Sequence, residues 1–359
     1  MVSHIKKRGL IGVMVLFVVL VAIMALVGCD QEGETAEAES TEESAQEGTQ
    51  RIGQDASPDE EYIFVSSIGN LEYFTAHKYG WQLAGEYLGV KTTYVSKPDF
   101  DIPGMVTDFD QAIAREPAGI AFWGVDPALD ASVNRAQELG IPTVAVIGDQ
   151  PGSDTLAYVG SYQYDLGKLG GQRLGEALGG SGQVAILTLP GTQMFDERER
   201  GFRDGIAEFD NIDVVTRADT QADTVTGIEA AKSVMNRFPD LAGFFCTDSV
   251  GAISASTAVE EADKAGDIKI IGMDRNSDVL QKIEEGTITG TIAQNDVTMS
   301  LWALLILYTH NHFQPPLTTD NDAANAKVSP DVIYLPPNYI DSSNLEFYLE
   351  ANELYATVN

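Results

Sequence analysis

Short apolar runs alternate with amphipathic segments from residue 62 to residue 293, and this alternation limits the folds that the chain can adopt. In the first half the runs cover residues 62–68, 91–96, 119–123 and 143–147, and in the second half 183–189, 212–216, 242–246, 269–273 and 290–293. Segments with helical spacing separate these runs. This alternation is typical of βαβ units that build a parallel sheet. The predicted fold class is therefore α/β, with two similar doubly wound parallel-sheet domains.

The N-terminal residues have the pattern of an export signal. Lys6, Lys7 and Arg8 precede an uncharged stretch over residues 9–28, which ends in Leu-Val-Gly before Cys29. A basic head, an apolar stretch and small residues before a cleavage site are typical of a signal peptide, although twenty apolar residues could also span a bilayer. The ending resembles the lipobox of bacterial lipoproteins, in which the signal is removed and the new N-terminal cysteine is lipidated. The resemblance implies a lipoprotein signal peptide over 1–28, lipidation at Cys29, and export to a bacterial membrane facing the periplasm or cell exterior.

Acidic residues dominate the rest of the chain. The 359 residues include 54 acidic and 22 basic side chains, for a formal charge of −32, which disfavours nucleic acid as a partner. Residues 29–61 hold 12 acidic residues and one basic residue, with few large apolar ones, which predicts a disordered tether. Residues 62–359 hold 42 acidic and 18 basic residues, a net charge of −24, which is compatible with a neutral or cationic ligand. A saline habitat would also account for this acidity.

Polar and aromatic side chains follow nearly every predicted strand. The carboxyl ends of parallel strands meet at one edge of a sheet, where ligands bind in open α/β folds. The candidates are Asn70, Tyr73, Phe74, Phe100, Asp126, Asp196, Arg198, Thr247, Asp248, Asp274 and Gln294. Carboxylates and amides bind pairs of hydroxyl groups and ring faces cover C–H surfaces, so the set suits a polyhydroxylated ligand.

Structural roles are open for several of these residues. Asp126 and Asp248 precede predicted helices and could serve as N-caps. Tyr73 and Phe74 could lie in the core of the first helix. Arg198 could form a surface ion pair with a neighbouring glutamate.

Between about residues 62 and 295 the chain resembles the sugar-type periplasmic binding proteins of the ribose-binding class. The resemblance is carried by Gly-Val-Asp-Pro at 124–127, Gly-Thr at 191–192, Glu-Arg at 197–198, Gly-Phe at 201–202, Ile-Ile-Gly-Met-Asp at 270–274 and Thr-Ile-Ala-Gln at 291–294. It implies a three-strand hinge that joins an N-terminal lobe, 62–159 plus 295–330, to a C-terminal lobe, 160–294 plus 331–359. It also implies a monomer that captures a small neutral sugar or polyol for an ABC permease.

The same resemblance implies roles for individual residues. Asn70, Tyr73 and Phe74 correspond to ligand contacts, with the aromatic rings on a sugar ring, and Asp126, Asp274 and Gln294 to residues that bind hydroxyl groups. Asp196 stands where ribose binders have arginine, and Thr247 where they have asparagine. These departures imply a ligand other than ribose, and nucleosides remain alternatives.

Three other functions are compatible with parts of this sequence. A transcription repressor with this core would need a DNA-binding head, and the export signal occupies that place. A carbohydrate-active enzyme could use paired carboxylates such as Asp126 and Asp274, but the chain has none of the common nucleophile, phosphate-loop or metalloprotease motifs. We therefore predict no catalytic residue, metal or cofactor. Docking on a chemoreceptor or sensor kinase instead of a permease stays open.

Overall fold

The computed structural model describes residues 56–321 and 323–357. The predicted signal peptide, Cys29 and the tether up to residue 55 lie outside this range. Within the described residues, no helix has both the length and the apolar character that crossing a membrane requires.

The first lobe is built on a parallel sheet, six-stranded within the described residues, in the order β11-β5-β4-β3-β1-β2. Its strands are β1 (Glu61–Ser66), β2 (Lys91–Ser96), β3 (Gly119–Trp123), β4 (Thr143–Val146), β5 (Ala157–Gly160) and β11 (Val332–Tyr334). Its helices are α1 (Tyr73–Leu88), α2 (Ile102–Ile113), α3 (Asp130–Glu138) and α9 (Asp296–His312).

The second lobe repeats this plan with the order β12-β10-β9-β8-β6-β7. Its strands are β6 (Ser181–Thr188), β7 (Asn211–Asp219), β8 (Leu241–Cys246), β9 (Lys269–Met273), β10 (Gly290–Ala293) and β12 (Asn338–Ile340), and only β12 runs antiparallel to its described neighbour. Its helices are α4 (Gln163–Ala177), α5 (Gln193–Ile206), α6 (Thr224–Arg237), α7 (Ser249–Glu261), α8 (Ser277–Glu284) and α10 (Leu345–Tyr355).

Apolar side chains cover both faces of each sheet. In the first lobe, alternate residues of β1 point to opposite faces: Phe64 packs with α1 and α9, and Ile63 packs with α2. In the second lobe, Phe245 of β8 stacks on Phe202 of α5 with ring centroids 4.3 Å apart. Coverage of both faces is why the predicted strands read as continuous apolar runs. The two doubly wound α/β domains of the prediction are confirmed.

The chain passes between the lobes at three places: after β5, after β10 and between β11 and β12. The third passage differs from the sequence-based boundary at residue 331, because Val332–Tyr334 pairs with β5 and belongs to the first sheet. Strands β5, β11 and β12 were not recognised in the sequence. β11 and β12 have only three residues each, which is too few for a periodic pattern.

Candidate ligand-binding site

Arg198 lies at the centre of the site, buried at 2% exposure. Its Nε donates to Gln163 Oε1 at 2.8 Å, and its Nη1 donates to the Thr247 carbonyl oxygen at 2.7 Å. The alternative of a surface ion pair with a glutamate is therefore wrong, since Glu197 pairs with Arg200 and Glu199 with Arg203 and Arg217.

Close packing of α4 against α5 brings Gln163 to Arg198. Gly167 lies against the backbone of Arg198, where an added Cβ would approach the carbonyl oxygen to 1.8 Å, and a Cβ on Gly201 would approach the Tyr164 carbonyl oxygen to 1.9 Å. Only glycine permits this helix separation. The glycines in these two helices therefore determine where the guanidinium lies.

Asp274 follows β9, and its carboxyl group interacts electrostatically with this guanidinium. Its backbone is in the left-handed region, with φ of 68°, which aspartate tolerates better than most residues. Among the described residues, its buried Oδ1 has no hydrogen-bond partner. The pKa of Asp274 is raised to about 7, chiefly by burial and also by the carboxylates of Asp296 and Asp248, while the charge of Arg198 and a hydrogen bond with Gln294 oppose the shift. A buried acceptor of this kind suits a hydroxyl donor.

Tyr73 and Gln294 meet across the two lobes. Gln294 Nε2 donates to the Tyr73 hydroxyl oxygen at 3.1 Å, and the buried Gln294 Oε1 has no partner among the described residues. Burial, together with the charges of Asp296 and Asp274, raises the pKa of Tyr73. The Tyr73 hydroxyl therefore stays protonated and can act as a donor at this contact between the lobes.

The predicted aromatic residues lie in different environments. Phe74 is 1% exposed and packs on Tyr73 and Trp123, with ring centroids 5.2 and 5.1 Å apart. Phe100 is exposed and lies edge-on to Trp123 at 6.0 Å. Trp123, the last residue of β3, was not among the predicted site residues, although an aromatic residue that ends a strand just before Gly-Val-Asp is a recognisable signal. It links Phe74 to Phe100.

Two predicted aspartates are N-caps: Asp126 caps the short 3₁₀ helix Pro127–Leu129, and Asp248 caps α7. Asp126 Oδ1 accepts from the Ala128 backbone N at 2.8 Å, and Asp248 Oδ1 accepts from the Gly251 backbone N at 2.7 Å. Burial raises the pKa of Asp248, and the Gly251 hydrogen bond and the charge of Arg198 lower it. Capping occupies one oxygen of each carboxylate, so the second oxygen is the atom through which either residue would contact a ligand.

Three other predicted residues have no described side-chain contact with Arg198 or Asp274. Asn70 is exposed in the turn after β1. Asp196 is exposed in the first turn of α5, where its Oδ1 accepts from the Gly191 backbone N at 3.3 Å. The Thr247 hydroxyl is buried against Thr188 Oγ1 at 3.0 Å. Thr247 therefore contributes to the site through its backbone carbonyl group, which accepts a hydrogen bond from Arg198.

A buried polar group beside the second passage between the lobes was also not predicted. His77 of α1 is fully buried, with Nδ1 3.0 Å from Ser300 Oγ and Nε2 3.5 Å from Asp296 Oδ1. The sequence gives one indication of this group: Asp296 lies two residues after Gln294, which is itself a predicted site residue.

In the described part of the chain, no group of three or more histidine, cysteine or acidic side chains is arranged to hold a metal ion. Cys246 is a buried thiol whose pKa is raised by burial, which makes it unreactive.

A cavity of about 560 Å³ adjoins the site on one side. Tyr73 and Asp296 line it together with Arg275, and α10 forms its outer wall. Of the candidate site residues, Tyr73 is the one that lines this cavity.

This fold and site define a ligand-binding protein with two lobes and a hinge between them. The family model of the periplasmic binding protein domain matches residues 62–312, and the chain belongs to that family. It is similar to the ribose import binding protein of Bacillus subtilis, strain 168, with 25% identity over 239 residues that cover 65% of this chain and 75% of that protein.

Solved structures give the same result. An arabinose-binding protein from Geobacillus stearothermophilus is 30% identical, with a TM-score of 0.76 over 81% of this chain and 99% of that chain. A sugar-binding protein of a sugar ABC transporter from Bacillus halodurans is also 30% identical, with a TM-score of 0.77 over 81% of this chain and all of that chain.

Proposed function

We propose that this protein is the extracytoplasmic substrate-binding component of an ABC importer and captures a small neutral sugar or polyol between its lobes. The observation that carries the proposal is the group formed by Tyr73, Arg198, Asp274 and Gln294 at the lobe interface. It combines a guanidinium donor with buried carboxylate and amide acceptors. Related proteins named for ribose, arabinose and sugar binding support the same ligand class.

The charges in the site favour a neutral ligand. The charge of Arg198 acts on Asp274 and Asp248, so a neutral ligand needs no additional counterion, and the net charge of −24 over residues 62–359 disfavours anions. Hydroxyl groups can donate to Asp274 Oδ1 and Gln294 Oε1 and accept from Arg198. A ligand that touches both lobes shifts the population toward their closed arrangement, and a permease can then recognise that state.

A thermal-shift screen tests this function. Pentoses, hexoses, inositols and nucleosides are added to the purified protein, and the true ligand raises the free energy of unfolding by about 2.7 kcal/mol at a hundredfold excess over Kd. The ligand recovered by chromatography should be chemically unchanged, as expected of a binding protein without catalytic activity. Turnover of the bound sugar, or no shift with any sugar or polyol, contradicts the proposal.

We also propose that Cys29 carries a lipid that holds the monomeric protein at the membrane. Support comes from the sequence, in which Cys29 follows the basic head and the apolar stretch. In cells given a labelled fatty acid, the protein should carry the label and sediment with membranes, and Cys29→Ser should lose both properties. Cys246→Ala is the matched control, because that thiol is buried and should not affect either property. Equal labelling of Cys29→Ser and the unmodified protein would contradict the anchor.

A further inference from the structure

We propose that Glu72 and Tyr355 form a lateral latch, which holds the two lobes closed and sets ligand affinity without touching the ligand. Both residues line the 560 Å³ cavity beside Tyr73, at the side of the lobe interface. Each belongs to one lobe and contacts the other. The effect on affinity rests on the proposed function, whereas the effect on lobe position does not.

Glu72 of the first lobe caps a helix of the second. Both of its carboxylate oxygens lie 3.0 Å from the backbone N of Ser277, the first residue of α8, and the Ser277 hydroxyl also donates to this carboxylate. Asn276, at the N-cap position of α8, makes no capping bond with its side chain. Glu72 itself precedes α1 and makes no capping bond there. A carboxylate at a helix N-terminus is stabilised by free N–H groups and by the helix dipole, so this contact favours the closed lobes.

Helix α10 provides the second contact and moves with the second lobe. Arg275 donates to Asn352 Oδ1 from Nη2 at 2.6 Å and to the Tyr348 carbonyl oxygen at 3.0 Å, and its guanidinium lies 4.9 Å from the Tyr348 ring centroid. Leu345, at the start of α10, is buried in the second-lobe core.

The last residue of α10 reaches the other lobe. The Tyr355 ring lies over Tyr79 of α1, with centroids 5.0 Å apart. Since α10 is held on the second lobe, this ring pair forms only when the lobes come together. Tyr355 also lies on Arg275 at 5.1 Å, which orients its ring toward α1.

The latch acts on the equilibrium between open and closed lobes. Neither contact includes a residue that we assign to the ligand, so both contribute to closure before a ligand binds. If closure is the state that binds tightly, the apparent Kd decreases as the closed fraction of ligand-free protein increases. Loss of the latch should therefore have two linked effects: it decreases the closed fraction of the ligand-free protein, and it increases the apparent Kd.

The test uses the full-length lipidated protein in detergent. Leu139→Cys in the first lobe and Val225→Cys in the second, both exposed, carry a fluorophore pair whose energy transfer reports lobe separation. Glu72→Gln with Tyr355→Ala should lower energy transfer without ligand and raise the Kd of the sugar found by the screen about two- to tenfold. The matched control is Glu86→Gln with Tyr87→Ala, which changes exposed residues of α1 away from the interface.

The pairing of Glu72 with Ser277 is tested separately. If they act as one contact, Ser277→Ala should add little to Glu72→Gln. Energy transfer equal to that of the control pair overturns the latch, whatever binds. If no sugar binds, the proposed function fails while energy transfer still decides on the latch. Lower energy transfer with unchanged Kd overturns the link between latch and affinity.

Discussion

Asp274 shows how a single residue adapts to the site. Its left-handed backbone, its buried Oδ1 without a partner in the described part of the chain, and its raised pKa occur together, just after β9. A buried acceptor without a partner costs stability in the unliganded protein, and a hydroxyl donor removes that cost. Asp274 thus lowers the stability of the unliganded protein and increases its affinity for a ligand that donates a hydroxyl group.

Replacing Asp274 by alanine should remove most of the affinity. A ligand hydroxyl would lose a charged acceptor in a desolvated site, which costs about 1.5–3 kcal/mol, or roughly 10- to 150-fold in Kd. Calorimetric titration with the ligand from the screen measures the change. Asp278→Ala, an exposed aspartate on α8, is the control and should bind normally. An unchanged Kd for Asp274→Ala would remove this residue from the site.

Affinity should depend on pH in the direction set by Asp274. Its pKa is raised from 3.8 to about 7, so the carboxyl group is protonated below that value and competes poorly for hydroxyl donors. Kd should increase by up to about tenfold per pH unit below pH 7 and be nearly constant above it. In ligand-free protein, the stabilisation from the raised pKa is complete below pH 3.8 and is lost as the pH rises through 7. Asp274→Asn should flatten the affinity profile, and a profile with the same slope would contradict the assignment.

At the scale of elements, helix packing positions the site. Helices α4 and α5 approach each other through glycines, and this close approach places Gln163 on Arg198. The strand ends supply the other site residues, but their order in the sheet decides which of them meet. The α4–α5 pair is therefore as important for the site as the loops that carry its residues.

Substitution of Gly201 by alanine should damage both stability and binding. Its Cβ would lie 1.9 Å from the Tyr164 carbonyl oxygen, so α5 must move away from α4. Overpacking of this kind costs about 1–3 kcal/mol, and the movement separates Arg198 from Gln163. Chemical denaturation and ligand titration measure the two effects. Unchanged stability would mean that the helices can separate without cost.

At the scale of the whole molecule, acidity is the dominant property. Residues 62–359 have 42 acidic and 18 basic side chains, so carboxylates repel one another over much of the surface. Many lysines and arginines are already in exposed ion pairs, which contribute little each. We therefore expect repulsion between carboxylates to affect the salt dependence of stability more than the exposed ion pairs do.

Added salt should raise the melting temperature. Raising NaCl from about 0.01 M to about 1 M shortens the Debye length from roughly 30 Å to 3 Å and screens the repulsion between carboxylates. Scanning calorimetry at several salt concentrations measures the effect. A melting temperature that falls over this range would show that ion pairs, rather than repulsion, dominate the surface.

The apolar periodicity of the sequence predicts the fold class, the two repeated domains and most strands, because it reflects which faces are buried. The sequence also pointed to Tyr73, Arg198, Asp274 and Gln294, since side chains after parallel strands lie at one edge of a sheet. It could not separate capping from binding at Asp126 and Asp248, nor recognise Trp123, His77 and Asp296.

Those points follow from the folded structure alone, because they depend on contacts between residues distant in the chain. Gln294 meets Tyr73 across 221 positions, and Glu72 meets Ser277 across 205. Local patterns encode burial and turns, whereas the distance between two lobes depends on the hinge and on how the helices pack. The strand ends could be predicted to carry a site, and the folded chain determined which side chains share it.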